Sequence, residues 1–155
     1  PPRSTLFPYT TLFRSKNERW SYILSNKIIF ITLRDKERIE QLMLFCDLFK
    51  EQERKSIRKL HYEISQGYVV SAEKIPINVV TTNSRVVLHD LANDRVYSLT
   101  LVFPEDADPQ KFKESILAPL GAALIGKKTG EIIEYSTPSG ICRCTIKAIS
   151  HETRP

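Results

Sequence analysis

Cysteine is scarce in this chain, which has only Cys46, Cys142 and Cys144. An odd number without framework spacing excludes a disulfide-stapled secreted domain, so a reduced, cytoplasmic setting is expected. Cys142 and Cys144 stand two apart, which in a strand puts both side chains on one face. No second pair follows them, and His61, His89 and His151 are scattered. Packing, rather than metal or redox chemistry, is expected of the thiols, and no metal or cofactor is expected. No apolar run approaches the ~20 residues that a membrane helix needs, so no membrane partner is expected. Residues 28–33 are too short for that and read as a strand. There is no glycine-rich phosphate loop and no nucleophile elbow. Glu105, Asp106 and Asp108 follow Pro104 as a solvated turn rather than an acid/base pair. No enzyme is expected.

What is present is a mild excess of positive charge, +5 over the chain. Residues 1–15 carry +2, residues 16–70 carry 11 − 8 = +3, and residues 71–155 carry 10 − 10 = 0. The C-terminal half is therefore neutral and lacks the basic face of a nucleic-acid reader. Any contact with nucleic acid, DNA binding included, is expected to pass through a protein partner. The stretch from Thr5 to Ser15, TLFPYTTLFRS, resembles the in-frame translation of a sequencing-library adapter. Residues 1–15 are expected to be an artefact and are set aside from fold reasoning; residues 16–34 are a lead-in of uncertain origin.

From residue 35 the pattern becomes helical. Asp35 is a plausible N-cap, with Glu37 favourably placed in the first turn. Ile39, Leu42, Met43, Cys46 and Phe49 recur at helical spacing over about four turns. The charged run Lys50-Glu-Gln-Glu-Arg-Lys55 interrupts the apolar pattern, which resumes at Ile57, Leu60, His61 and Ile64 and stops at Gly67. Residues 35–70 are therefore expected to form a short helical hairpin with its connection at 50–55; one continuous or kinked helix is the alternative, since that run is itself helix-compatible. Beyond Tyr68 the chain turns to strands: 79–82, 85–88 and 96–103, with a turn at Asn93-Asp94 and an end at Pro104. Residues 109–116 read as a short helix and 119–125 as an apolar helical turn closed by Gly126. Residues 131–136 and 142–149 read as an antiparallel pair around Pro138-Ser139-Gly140. The fold class is α+β, with residues 71–155 as a mostly antiparallel sheet interrupted by helical turns.

Asn83-Ser84-Arg85-Val86, then the run from Ala118 through Pro119-Leu120-Gly121-Ala122-Ala123-Leu124-Ile125-Gly126-Lys127-Lys128-Thr129-Gly130 to Glu131, and then Pro138-Ser139-Gly140 follow one another at sensible intervals. Together, across residues 76–149, they are similar to the C-terminal domain of Gre-type transcription elongation factors. The resemblance implies an FKBP-like sheet with a short helix, docked at the rim of the RNA polymerase secondary channel. It makes RNA polymerase the expected partner. Arg85, Pro119, Leu120, Gly121, Lys127 and Lys128 are then candidate polymerase-binding residues, although the small apolar ones also suit a helical turn lying close against a sheet.

Cleavage-stimulating members of that family carry a long N-terminal coiled coil, whose acidic tip helps hold a catalytic Mg²⁺ in the polymerase; carboxylate oxygens suit that hard cation. Here each helix reaches only about 20 Å, roughly half of a full arm. Asp47, Glu51 and Glu53 are the acidic candidates, diluted by Lys50, Arg54, Lys55 and Arg58. The short arm and the opening from Ile31 to Ile39, ITLRDKERI, resemble the Rnk family, the regulators of nucleoside diphosphate kinase. Those proteins pair a Gre-like domain with a truncated arm. The expectation is a non-enzymatic transcription regulator bound to polymerase, with no residue catalytic in its own right. The alternatives are a transcript-cleavage factor and, from the fold alone, a peptidyl-prolyl isomerase.

Overall fold

A computed structural model describes residues 29–151. The expected artefact at 1–15 and most of the lead-in lie outside the described residues. Phe30–Ile31 (β1) pairs in parallel with Tyr68–Val69 (β2). Between them run two helices, Leu33–Leu44 (α1) and Glu51–Ser65 (α2), joined by a turn of 3-10 helix at Cys46–Leu48. The chain thus leaves this small sheet at Ile31 and returns beside it at Tyr68. Gly67 permits that return by close approach: a Cβ there would lie 2.4 Å from the Ile29 carbonyl oxygen.

The second sheet has five strands in the order β5-β4-β3-β7-β6. These are Ser84–Asp90 (β3), Val96–Val102 (β4), Lys113–Ser115 (β5), Ile132–Thr137 (β6) and Gly140–His151 (β7). All neighbours are antiparallel except β5, which runs parallel to β4. The helix Pro119–Leu124 (α3) precedes β6. Proline opens it, and Gly126, at φ 80°, lets the chain leave it. Asp94, at φ 59°, forms the β3–β4 turn where Asn93-Asp94 was expected.

A single apolar core joins the two regions. Ile39 of α1 and Ile57, Leu60 and Ile64 of α2 are buried in the same cluster as Leu88, Leu101, Phe103, Leu117 and Leu124. Burying each such side chain contributes about 1.5–3 kcal/mol, so neither region holds its apolar face without the other. Polar contacts fix the junction. Thr82 Oγ1 donates to the Asp35 carboxylate at 2.5 Å, and Thr81 Oγ1 donates to the Phe30 carbonyl at 2.9 Å. The Gln52 amide donates to the Leu117 carbonyl at 3.2 Å. Arg38 stacks 3.9 Å above the Phe103 ring, hydrogen-bonds Glu105 and lies 3.5 Å from Asp106.

Several expectations need correction. The N-cap of α1 is Thr32, whose hydroxyl accepts from the Asp35 backbone N–H at 3.2 Å; Asp35 itself is buried in the first turn. The break between the helices lies at 45–50 rather than 50–55. The polar run 51–55 opens α2, because its good helix formers outweigh their failure to continue the apolar stripe. Residues 109–116 are not a helix. Only Pro109–Lys111 makes a 3-10 turn, then Phe112 turns at φ 55° and the chain becomes β5. Residues 79–82 are buried but make only one bridge, Val79 to Lys128.

Candidate functional site

The connection between the helices is apolar at its surface. Leu44 is 80%, Phe45 58% and Leu48 82% exposed. The acidic candidates stand around it in ordinary structural roles. Asp47 lies in the first turn of the 3-10 segment. The Glu53 carboxylate accepts from the Lys50 backbone N–H at 3.3 Å, occupying one of the free donors at the start of α2. Glu51 pairs with Lys55 one turn on, at 3.8 Å. The three acids share a neighbourhood, but two have local partners of their own. Among the described residues no group of three or more His, Cys, Asp or Glu side chains is placed to hold a metal ion.

The candidate docking residues separate into two sets. Leu120 and Gly121 are interior. Leu120 is buried, and a Cβ on Gly121 would lie 2.0 Å from the Ser115 carbonyl oxygen, so only glycine lets α3 approach β5 this closely. Both side-chain positions serve the fold. Pro119, Lys127, Lys128 and Arg85 remain accessible. Arg85 stands on β3 and donates to Ser98 Oγ at 3.2 Å, outside the group formed by the others. At the bend into β6 the Lys128 backbone N–H donates to the Glu131 carboxylate at 2.5 Å.

Pro119 and Lys127 line a cleft of about 640 Å³ between α2, α3 and β6. Sequence reasoning missed its other walls. Gln52 and Lys59 come from α2, seven residues apart and so on one helix face. That spacing was visible in the sequence, but nothing local says which part of the fold that face meets. Ile132 to Ser136 of β6 form the opposite wall. The one carboxylate there, Glu134, is held by Arg143 at 3.0 Å. Tyr135 also lines the cleft; burial is the main reason its phenol is pushed above the usual range, so it stays a neutral hydrogen-bonding group. Its hydroxyl lies 3.5 Å from that of Tyr97, with the Cys144 thiol behind them. Cys144 is fully buried, as expected of a packing residue, and Cys142 lies 3.8 Å from Thr137 Oγ1. No helix among the described residues is long and apolar enough to cross a membrane.

Comparison with known proteins bears on the same residues. The family described as "Transcription elongation factor, GreA/GreB, C-term" matches residues 75–151. A protein named transcription elongation factor GreA from Alkaliphilus oremlandii is 30% identical over 125 residues, 74% of this chain and 79% of that one. The regulator of nucleoside diphosphate kinase from Escherichia coli K12 is 37% identical over 82 residues, 53% of this chain and 60% of that one. Among solved structures, a prokaryotic transcription elongation factor GreA/GreB from Nitrosomonas europaea superposes with a TM-score of 0.67 at 36% identity, covering 79% of this chain and 99% of that one.

Proposed function

This chain belongs to the GreA/GreB family of transcription elongation factors, and on that premise we propose that it is an RNA polymerase-binding regulator that occupies a Gre-type position at the secondary channel without stimulating transcript cleavage. One observation carries the reading: the helical region is short and shares its core with the sheet region. The helices have 12 and 15 residues, or about 18–22 Å at 1.5 Å per residue. Ile39, Ile57, Leu60 and Ile64 are all buried in the common core. An arm anchored in this way has little length left with which to carry a carboxylate into a distant active site. The turn at its end presents Leu44, Phe45 and Leu48, while Glu53 and Glu51 are engaged locally.

In this reading the sheet region supplies the binding surface through Pro119, Lys127, Lys128 and Arg85, with Leu120 and Gly121 holding α3 in place beneath it. The chain is a regulator and not an enzyme. Contact with DNA or RNA passes through the polymerase, consistent with a region 71–155 whose charges balance. A pull-down with core RNA polymerase, in the presence and absence of a full-length Gre factor, tests the proposal. Retention on the polymerase that the Gre factor displaces is the expected result. No retention, or retention that the Gre factor leaves unchanged, overturns it.

A further inference from the structure

The five-stranded sheet has two edges, and they differ. β5 is three residues long and carries Lys113 and Glu114. Short, charged edges are among the devices by which proteins prevent strand pairing. β6 is six residues long, Ile-Ile-Glu-Tyr-Ser-Thr, with neither lysine nor proline. Its pairing with β7 runs without a register shift through six residue pairs, so no bulge twists the edge away. Among the described residues β6 pairs with no other strand. Its one charged side chain, Glu134, is held by Arg143.

The cleft runs along this edge. Successive side chains of a strand point to opposite faces, so a cleft over one face meets every second residue. Here Ile132, Ile133, Glu134, Tyr135 and Ser136 all line it, which places it beside the backbone edge. The far wall is fixed, since Gln52 is tied to the Leu117 carbonyl and to Ser56 Oγ. Gln52 and Lys59 stand about 10 Å apart along α2, the length of roughly three residues of extended chain. Ala122 and Ala123 line the cleft on the side of α3. Lys59 and Lys127 lie in the cleft, and neither belongs to an ion pair among the described residues. With Glu134 neutralised, the cleft is positive. Ile132, 52% exposed, adds an apolar contact at one end.

We propose that the cleft between β6 and α2 is a strand-addition site for an extended, acidic segment of a partner protein. The peptide backbone pairs with the open edge of β6, and its carboxylates meet Lys59 and Lys127. Main-chain pairing supplies affinity, and the two lysines supply the charge preference. The inference goes beyond the polymerase reading and is tested on the isolated full chain, so the two stand or fall separately.

The probe is a labelled peptide of alternating valine and glutamate, six residues long to match β6. A valine–lysine peptide and a valine–glutamate peptide N-methylated on alternate amides serve as controls. Saturable binding of the acidic peptide is expected, with slowed amide exchange confined to residues 132–136 and their neighbours. The basic peptide should bind about tenfold more weakly, as two partly exposed charge pairs allow. N-methylation in the pairing register should abolish binding, because it removes the N–H donors. The surface double variant Lys59→Glu with Lys127→Glu should reverse the charge preference while leaving the thermal transition in place. The proposal is overturned by no saturable binding, by equal binding of both charges, or by exchange slowed elsewhere while β6 is unchanged. Protection of β6 that rises with protein concentration in the absence of peptide also overturns it, because the edge then pairs with a second copy of the chain.

Discussion

The helical and the sheet regions of this chain use the same core for different ends. The sheet region is held by strand pairing, with β3 flanked on both sides by β4 and β7. The helical region has no such lattice. It is fixed by apolar anchors, among them Ile39, Cys46, Ile57, Leu60 and Ile64, and by junction contacts from Asp35, Arg38 and Gln52. Both regions contribute buried residues to one cluster, so each depends on the other for its place. Ile39 of α1 and Ile57, Leu60 and Ile64 of α2 belong to the same buried cluster as the apolar residues of the sheet region.

Substitutions in the core and at the junction test how the two regions depend on each other. The largest loss of stability is expected from Gly121→Ala, which forces a Cβ to within 2.0 Å of a backbone carbonyl. Separating α3 from β5 should cost about 3 kcal/mol, at the upper end for overpacking. Thermal or urea unfolding should show both regions destabilised in one transition. Next is Asp35→Ala at the junction. It removes the acceptor of the buried Thr82 hydroxyl and should cost about 1–3 kcal/mol. Asp35→Asn, which keeps an acceptor oxygen, should recover part of that loss in the same measurement.

Arg38→Ala comes third. Its partners Glu105 and Asp106 are largely exposed, so the ion pairs are worth little, and stacking on Phe103 carries much of the effect. About 1 kcal/mol is expected. Salt should weaken the wild-type contact and leave the variant unchanged. The smallest effect is a pH dependence at Glu114, whose carboxyl is raised above its usual range by burial. Because the folded state binds that proton more tightly than the unfolded chain, the stabilisation is present below the ordinary carboxylate range and lost as pH rises through the raised value. Glu114→Gln should flatten that part of the stability–pH curve.

The parts of the fold legible in the sequence were those set by neighbouring residues. Pro119 and Gly126 bracket α3, Asp94 marks a turn, and Pro138-Ser139-Gly140 marks the β6–β7 turn, each through its own backbone preference. What the sequence hid depends on distant partners. β5 is a strand only because β4 lies beside it in parallel. Met43 follows the apolar pattern yet ends up exposed, because the break at 45–50 ends the stripe before it is complete. Thr32 was overlooked as a cap because Asp35, three residues later, carries the stronger local signal. At the candidate site, Pro119 and Lys127 were identifiable from their own segment. Gln52 and Lys59 were not, since a helix far upstream in the chain shows its polar face without showing what it faces.

In the proposed reading the helical region is too short to carry out cleavage from a Gre-type position. A backtracked elongation complex tests it directly, with transcript cleavage measured after adding this protein alone and together with a full-length Gre factor. The account predicts no added cleavage alone and a dose-dependent reduction of the Gre-stimulated rate. Cleavage stimulated by this protein alone, and lost on Glu51→Ala with Glu53→Ala, would contradict it.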